Sequence, residues 1–293
     1  MTTRTRITRY KFEPYLYLVP IIVISGFFIY YCIGFTAITS FTDWDGMTSS
    51  FHFIGFENYK ELFTDNVFFV ALRNNLIFFV GTVFVQAALG LLIAVLVNYR
   101  LPGSNLYKSV FFLPISMAPV IISSIFRIIL DPNVGDLNNL LRSIGLGNLA
   151  KAWLGDPQYA LFSIIVVNIF QWMGFSMIIY YGGLISIPKD IYEAATIDGA
   201  SFWQTLFHIT IPMLRTTTTM LIVLGIVGSL KTFDIVMLLT RGGPGRSTEF
   251  LNTYLYKKAI EEFHGGYASS IGVMILLIAV VMSILQLKLN KDE

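Results

Sequence analysis

The sequence predicts an all-α membrane protein with six transmembrane helices and a cytoplasmic helix–turn–helix between the fourth and fifth. Three observations carry that prediction. The 293 residues are 55% hydrophobic and only 13% charged, with a mean hydropathy of +0.68, too apolar for a water-soluble core and surface. The apolar residues gather in runs close to the roughly 20 residues that a helix needs to cross about 30 Å of hydrocarbon. Between the runs lie polar segments marked by Gly or Pro, which suit turns rather than continued helix. Inside lipid, every backbone N–H and C=O must be satisfied within the segment, so helices are the expected form.

The first span is expected from Leu16 to Ile38, behind a basic segment, residues 1–13, that carries Arg4, Arg6, Arg9 and Lys11. Pro14 to Thr42 is free of charge, is longer than the apolar core of a signal peptide and lacks a small-residue cleavage site, so it reads as a retained anchor. The remaining spans are expected at Leu76 to Val97, Ser109 to Leu130, Ala160 to Gly182, Thr217 to Leu239 and Ala268 to Leu287. Residues 14–293 therefore form one membrane domain, which includes a connection at 184–214.

Lys and Arg set the orientation. With the N-terminus inside, the inner segments hold the four N-terminal cations, Arg100, Lys108, Lys189, Arg215, Lys288 and Lys291 within short loops. The opposite side holds Lys60, Arg73, Arg127, Arg142, Lys151, Arg241, Arg246, Lys257 and Lys258 over longer ones. Density and the basic first flank place both termini in the cytoplasm, in a cell (inner) membrane of bacterial type.

Charge and metal-binding residues exclude several function classes. A formal net charge of +2 gives no footprint for nucleic acid. Cys32 is the only cysteine, and His52, His208 and His264 are far apart in sequence, so no metal site is expected. No G-x-x-x-x-G-K-[ST] loop is present to cradle phosphates, and the glycine cluster at 242–245 reads as a turn after span five. No nucleophile–histidine pair or acid dyad points to catalysis.

The connection at 184–214 contains EAATIDGASFWQTLFHITIP, more residues than a plain loop needs. Its pattern predicts two short helices. The first opens near Pro188, with Ile191, Ala194, Ala195 and Ile197 on an apolar face and Asp190, Glu193 and Asp198 on an acidic one. Gly199 supplies the stop, Ser201 the N-cap of the second helix, and Pro212 ends or kinks that helix into span five. Phe202, Trp203, Leu206, Phe207 and Ile211 are expected against the membrane or the bundle. An interfacial helix resting on headgroups is one reading. Acidic groups are poorly placed against an anionic leaflet, which favours a cytoplasmic protein partner.

At these residues the chain resembles the membrane subunits of ATP-binding-cassette importers. Glu193, Ala194, Ala195, Gly199, Ile209 and Pro212 match the spacing of that family's cytoplasmic signature, with Ile211 where leucine is usual. FTDWDG at 41–46, FIGFENYKELFTD at 53–65, FFLPISMAPVI at 111–121, DPNVGDLNNLL at 131–141 and TRGGPGRSTEFLNTYLY at 240–256 resemble its carbohydrate branch, in particular the maltose-type first permease. The resemblance implies a permease subunit, not an enzyme, for a sugar or oligosaccharide. It further implies an external binding protein, a second homologous permease and two ATPase subunits, which bind the ATP and Mg while this chain holds no cofactor. The first short helix would dock on an ATPase, with Glu193 as polar anchor, Gly199 as the turn, and Ala194, Ala195, Asp198, Ile209 and Pro212 completing the element. Glu193 as a simple helix cap or a solvent-facing side chain is the alternative reading.

Polar residues within spans mark the candidate route for solute, because they are costly against lipid. In span four, Asn168, Gln171, Trp172 and Phe175 fall at i, i+3, i+4 and i+7, so amides that bond hydroxyls and rings that stack on sugar C–H surfaces share a face. Gly225, Gly228, Ser229 and Thr232, with Phe233, form a second face in span five, and Ser123 and Ser124 are candidates to complete the lining. The same residue types also mediate helix packing in membranes, and both readings stand at this point. Lys231 and Asp234, three apart, suit an ion pair along a helix, and their place toward the outer end of the span also permits snorkelling to water; the structural pair is favoured over direct substrate binding. An ion- or proton-coupled secondary carrier, with either charge as the coupling group, is the alternative function.

Overall fold

The computed structural model describes residues 15, 17–48, 50–98 and 103–289. The basic segment 1–13, Leu16, Arg100 and Lys291 lie outside the described residues. Among those described, the chain is almost entirely helical. It divides into two compact units, residues 1–64 with 255–274, and residues 65–254 with 275–293.

In the first unit, α1 (Tyr17–Thr39) carries a π-helical turn at Gly26–Tyr30, and none of its most apolar stretch is buried within the chain. Its end is tied down by polar contacts. Thr39 Oγ1 donates to Ser269 Oγ at 2.9 Å, and Asn58 Nδ2, on α2 (Glu57–Thr64), donates to the carbonyls of Ser40 and Thr42 at 2.9 and 2.8 Å. Gly266 is required here, because a Cβ would strike the Thr42 carbonyl while its own N–H donates to Trp44 O at 2.7 Å. The segment after α1 folds back through a bridge between Thr42 and Phe53. The backbone N–H of His52 donates to Asp43 Oδ1 at 2.6 Å, and this bond holds the Asp43 carboxyl below its usual range.

The second unit is organised on two long helices, α3 (Asn66–Asn98) and α7 (Pro157–Ser186), which form the most extensive pairing in the chain. Asp156 caps α7 by accepting from Gln158 N at 2.9 Å, and Pro157 sits at its first position, where no N–H is needed. Gly90 of α3 packs directly on Ser176 of α7, a close approach that small residues allow. On another side of α7, Gly174 lies against the Phe111 carbonyl of α4 (Ser104–Ser116).

The sequence predicts unbroken third and fifth spans, and the structure corrects both. Among the described residues, four helices are long and apolar enough to cross a membrane, and the number rises to six if each of two bent pairs is one span. Where the third span is expected lie α4 and α5 (Pro119–Ile129), bent by 96°, the geometry of a broken span or a re-entrant loop. Pro119 explains the bend: its ring pushes Ala118 to extended backbone (φ −60°, ψ 143°), with Met117 extended as well. After α6 (Asp136–Ser143) and α7 come α8 (Lys189–Ile197) and α9 (Phe202–Met213), which meets α10 (Arg215–Lys231) at 62° just after Pro212. A second break at Thr232–Phe233 separates α10 from α11 (Asp234–Leu239), which packs on α5. The chain closes with α12 (Leu251–Tyr256) and α13 (Gly265–Leu289).

Among the described residues, buried apolar side chains of this unit gather in clusters. One gathers Phe78, Ile122, Ile164, Val167, Val236 and Phe250, and another Ala94, Met177, Tyr180, Leu184 and Leu214.

Candidate coupling elbow and transport cavity

The elbow at 188–213 is shaped by local signals. Pro188 stands at the N-cap position of α8 and Asp190 in its first turn, where a carboxylate suits the positive helix end. Gly199 closes α8 in the left-handed conformation, φ +74°. Its N–H donates to Thr196 O at 3.1 Å and that of Ala200 to Ala195 O at 2.9 Å, the pair of bonds that completes a Schellman stop. Ser201 and Gln204 then form a reciprocal capping box: Ser201 N donates to Gln204 Oε1 at 2.8 Å, and Gln204 N to Ser201 Oγ at 3.4 Å.

The expected apolar face of α8 is divided. Ala195 is buried and Ile191 and Tyr192 are half-buried against the cluster around Leu184, Leu214 and Leu206. Ala194 and Ile197 face outward with Glu193, Asp198 and Gly199, and Ile197 is 86% exposed. The helical period explains the split, since Ile197 lies six residues and about 240° from Ile191. On α9, Phe202, Trp203 and Phe207 are exposed, Ile209 and Ile211 half-buried, and Pro212 exposed just before the bend. The outward surface of the elbow is therefore a carboxylate-edged apolar patch held on rigid caps.

A cavity of about 520 Å³ opens among α3, α7, α10 and the break before α11. Asn168, Gln171, Trp172 and Phe175 of α7 line it, facing Ser229 of α10 and Phe233 at the break. The Trp172 and Phe175 rings meet edge to face at 6.1 Å, and Trp172 is 41% exposed, leaving ring surface open to a solute. Ser123 lies outside this lining: it is buried, and its hydroxyl has no hydrogen-bond partner among the described residues. Ser124 instead returns its hydroxyl to Val120 O at 2.7 Å.

Gln86 also belongs to the wall, outside the residues that helical spacing groups. Its Nε2 donates to Asn168 Oδ1 at 2.9 Å, which orients the Asn168 amide across the α3–α7 contact. A glutamine within the apolar run FVQAALG was the available signal.

The break in α10 exposes backbone carbonyls that need partners at membrane depth. Asn75 Nδ2 donates to Ser229 O at 3.0 Å and Asn252 Nδ2 to Leu230 O at 2.6 Å, so two amides stabilise the interruption. Met117 O, at the other break, accepts a long contact of 3.5 Å from Gln171 Nε2. Lys231 and Asp234 flank the α10 break, line the cavity and form no ion pair with one another. The expected pairing fails because it assumed one continuous helix.

Residues 86–292 match the family model described as binding-protein-dependent transport system inner membrane component. The chain is 38% identical over 271 residues to a probable ABC transporter permease protein of Pyrococcus horikoshii, covering 92% of this chain and 93% of that one. It is 33% identical to the multiple sugar-binding transport system permease protein of Streptococcus mutans, covering 96% of each. Its fold is similar to a chain in the crystal structure of a bacterial alginate ABC transporter in complex with alginate pentasaccharide-bound periplasmic protein, with a TM-score of 0.82 at 24% identity over 98% of this chain and 96% of that one.

Proposed function

The chain belongs to the family of binding-protein-dependent transport system inner membrane components, and from that premise we propose that it forms one half of the pathway of an ATP-driven importer for a sugar or oligosaccharide. It is a multi-pass permease, a transport subunit rather than an enzyme. The observation that carries the sugar assignment is the cavity wall on α7, where the amides of Asn168 and Gln171 and the rings of Trp172 and Phe175 face one space. Amides bond hydroxyls and ring faces stack on pyranose C–H surfaces. The name of the Streptococcus mutans relative, a multiple sugar-binding transport system permease, points the same way.

In this reading an external binding protein delivers the sugar, and a second homologous permease completes the pathway within the lipid. Two ATPase subunits bind ATP and Mg. The elbow docks on one of them through Glu193, Ala194, Ile197 and Asp198, with the outward surface carried on the Gly199 turn. Both chain termini then lie in the cytoplasm. ATPase closure moves α8 and α9, and because α9 runs into α10 through the bend after Pro212, that motion reaches the cavity wall. Interrupted helices also occur in ion-coupled carriers, but the family of this chain decides against that alternative.

Purification from the host with its associated chains, followed by reconstitution, tests the proposal. Recovery of an ATPase, a second permease and a binding protein, with uptake that requires ATP, is the expected result. Uptake that survives ATP depletion and collapses with the proton gradient would replace it.

A further inference from the structure

Recognition by amides and rings leaves one feature of the cavity unused. α10 ends at Lys231, the backbone is non-helical through Thr232 and Phe233, and α11 starts at Asp234. Each charge suits its helix end, the ammonium at a C-terminus and the carboxylate in a first turn. Helix-end complementarity does not require either side chain to face the solute space, yet both are exposed and both line it. Among the described residues neither forms an ion pair with the other or with a third group. Opposite charges held apart within a membrane-spanning segment are costly unless water or a polar solute solvates them.

We propose that Lys231 and Asp234 form a bipolar collar around the solute, with the ammonium donating to sugar oxygens and the carboxylate accepting from sugar hydroxyls. The summed charge of the collar is zero, so it adds no net attraction for an anionic or a cationic solute, and its two charge-assisted hydrogen bonds serve a polyhydroxylated solute that reaches both groups at once. The collar rests on the sugar-permease reading and assigns two polar contacts to that site.

The test uses the whole importer in vesicles, with Cys32→Ser removing the only native cysteine and Thr232→Cys placing a thiol between the two charges. The rates of labelling by anionic sulfonatoethyl and cationic trimethylammonioethyl methanethiosulfonate are compared, each relative to a free thiol in solution. With the collar intact the two relative rates are similar. Asp234→Asn raises the anionic-to-cationic ratio about fivefold and Lys231→Met lowers it about fivefold. Lys231→Arg and Asp234→Glu keep the charges and retain the starting ratio, which separates lost charge from lost assembly. A ratio that neither neutralisation moves overturns the collar, as does a thiol at 232 that stays unlabelled in a transport-competent importer because another chain covers it. ATP-driven uptake of lactose, arabinotriose and maltotriose by the same vesicles tests the sugar reading separately: if none is carried, that reading fails while the rate ratios still report on the charges.

Discussion

The elbow at 188–213 and the cavity beside α7 are built from different kinds of instruction. In the elbow each bend has a cause within a few residues: Pro188 opens α8, Gly199 closes it, and Ser201 with Gln204 starts α9. In the cavity the walls come from helices far apart in sequence, and the break at Thr232–Phe233 in that wall is stabilised by Asn75 and Asn252 from other elements. A rigid, locally specified part suits force transmission to a partner. A part assembled from several helices suits a solute space whose walls move relative to one another.

That difference is broken most severely at Gly199. Its φ of +74° disfavours any residue with a Cβ by about 1–2 kcal/mol, although open space surrounds it. Gly199→Val should therefore leave membrane insertion intact and reduce ATP-driven uptake about tenfold or more, measured in vesicles against an equal amount of inserted protein. Next is Glu193→Ala. The side chain is exposed, so stability of the chain should change by less than about 0.5 kcal/mol. Loss of a charged contact should weaken association with the ATPase by roughly tenfold, read by titration of purified subunits.

Trp172→Ala probes the other region. Removal of one ring face should raise the half-saturating sugar concentration about fivefold and leave ATPase association unchanged, the reverse of the Glu193→Ala pattern. Ser201→Ala is a milder test of the elbow, since loss of an N-cap costs about 1 kcal/mol. Amide exchange in the first turn of α9 should speed up, with uptake reduced less than by Gly199→Val.

The smallest effect is expected outside both regions, at Asp43. Its carboxyl titrates below the ordinary 3.8 because the His52 N–H bonds to it. A depressed carboxyl pKa contributes stability that is present above the unfolded value and is lost as pH falls through the folded one. The backbone bond from His52 N–H to the Asp43 carboxylate should thus weaken as the carboxyl is protonated in acid, followed by exchange of the His52 amide.

How far each region was legible follows from the same contrast. Gly199, Ser201 and Pro212 were readable because glycine, a capping serine and proline act on their own backbone. Gln204 was equally readable in the Ser-x-x-Gln spacing. The bend at Met117–Ala118 carried a local sign too, Pro119, but a long apolar run was read as one span across it. Thr232–Phe233 carries no Gly or Pro, and its interruption depends on amides that only the tertiary fold delivers. For the same reason Lys231 and Asp234 were placed on one helix face that does not exist. Helical spacing did group Asn168, Gln171, Trp172 and Phe175, because α7 is uninterrupted across them. Ser123 missed the cavity because its short helix begins after a 96° bend that linear spacing ignores.

Whether the outward face of α8 meets an ATPase or lipid is read most directly at Ile197, 86% exposed there. In a Cys32→Ser background, Ile197→Cys carrying a benzophenone maleimide is irradiated in membranes that hold the assembled importer. A crosslinked product that contains this chain and the ATPase subunit is the expected result. A transport-competent importer whose residue 197 labels only lipid would contradict it.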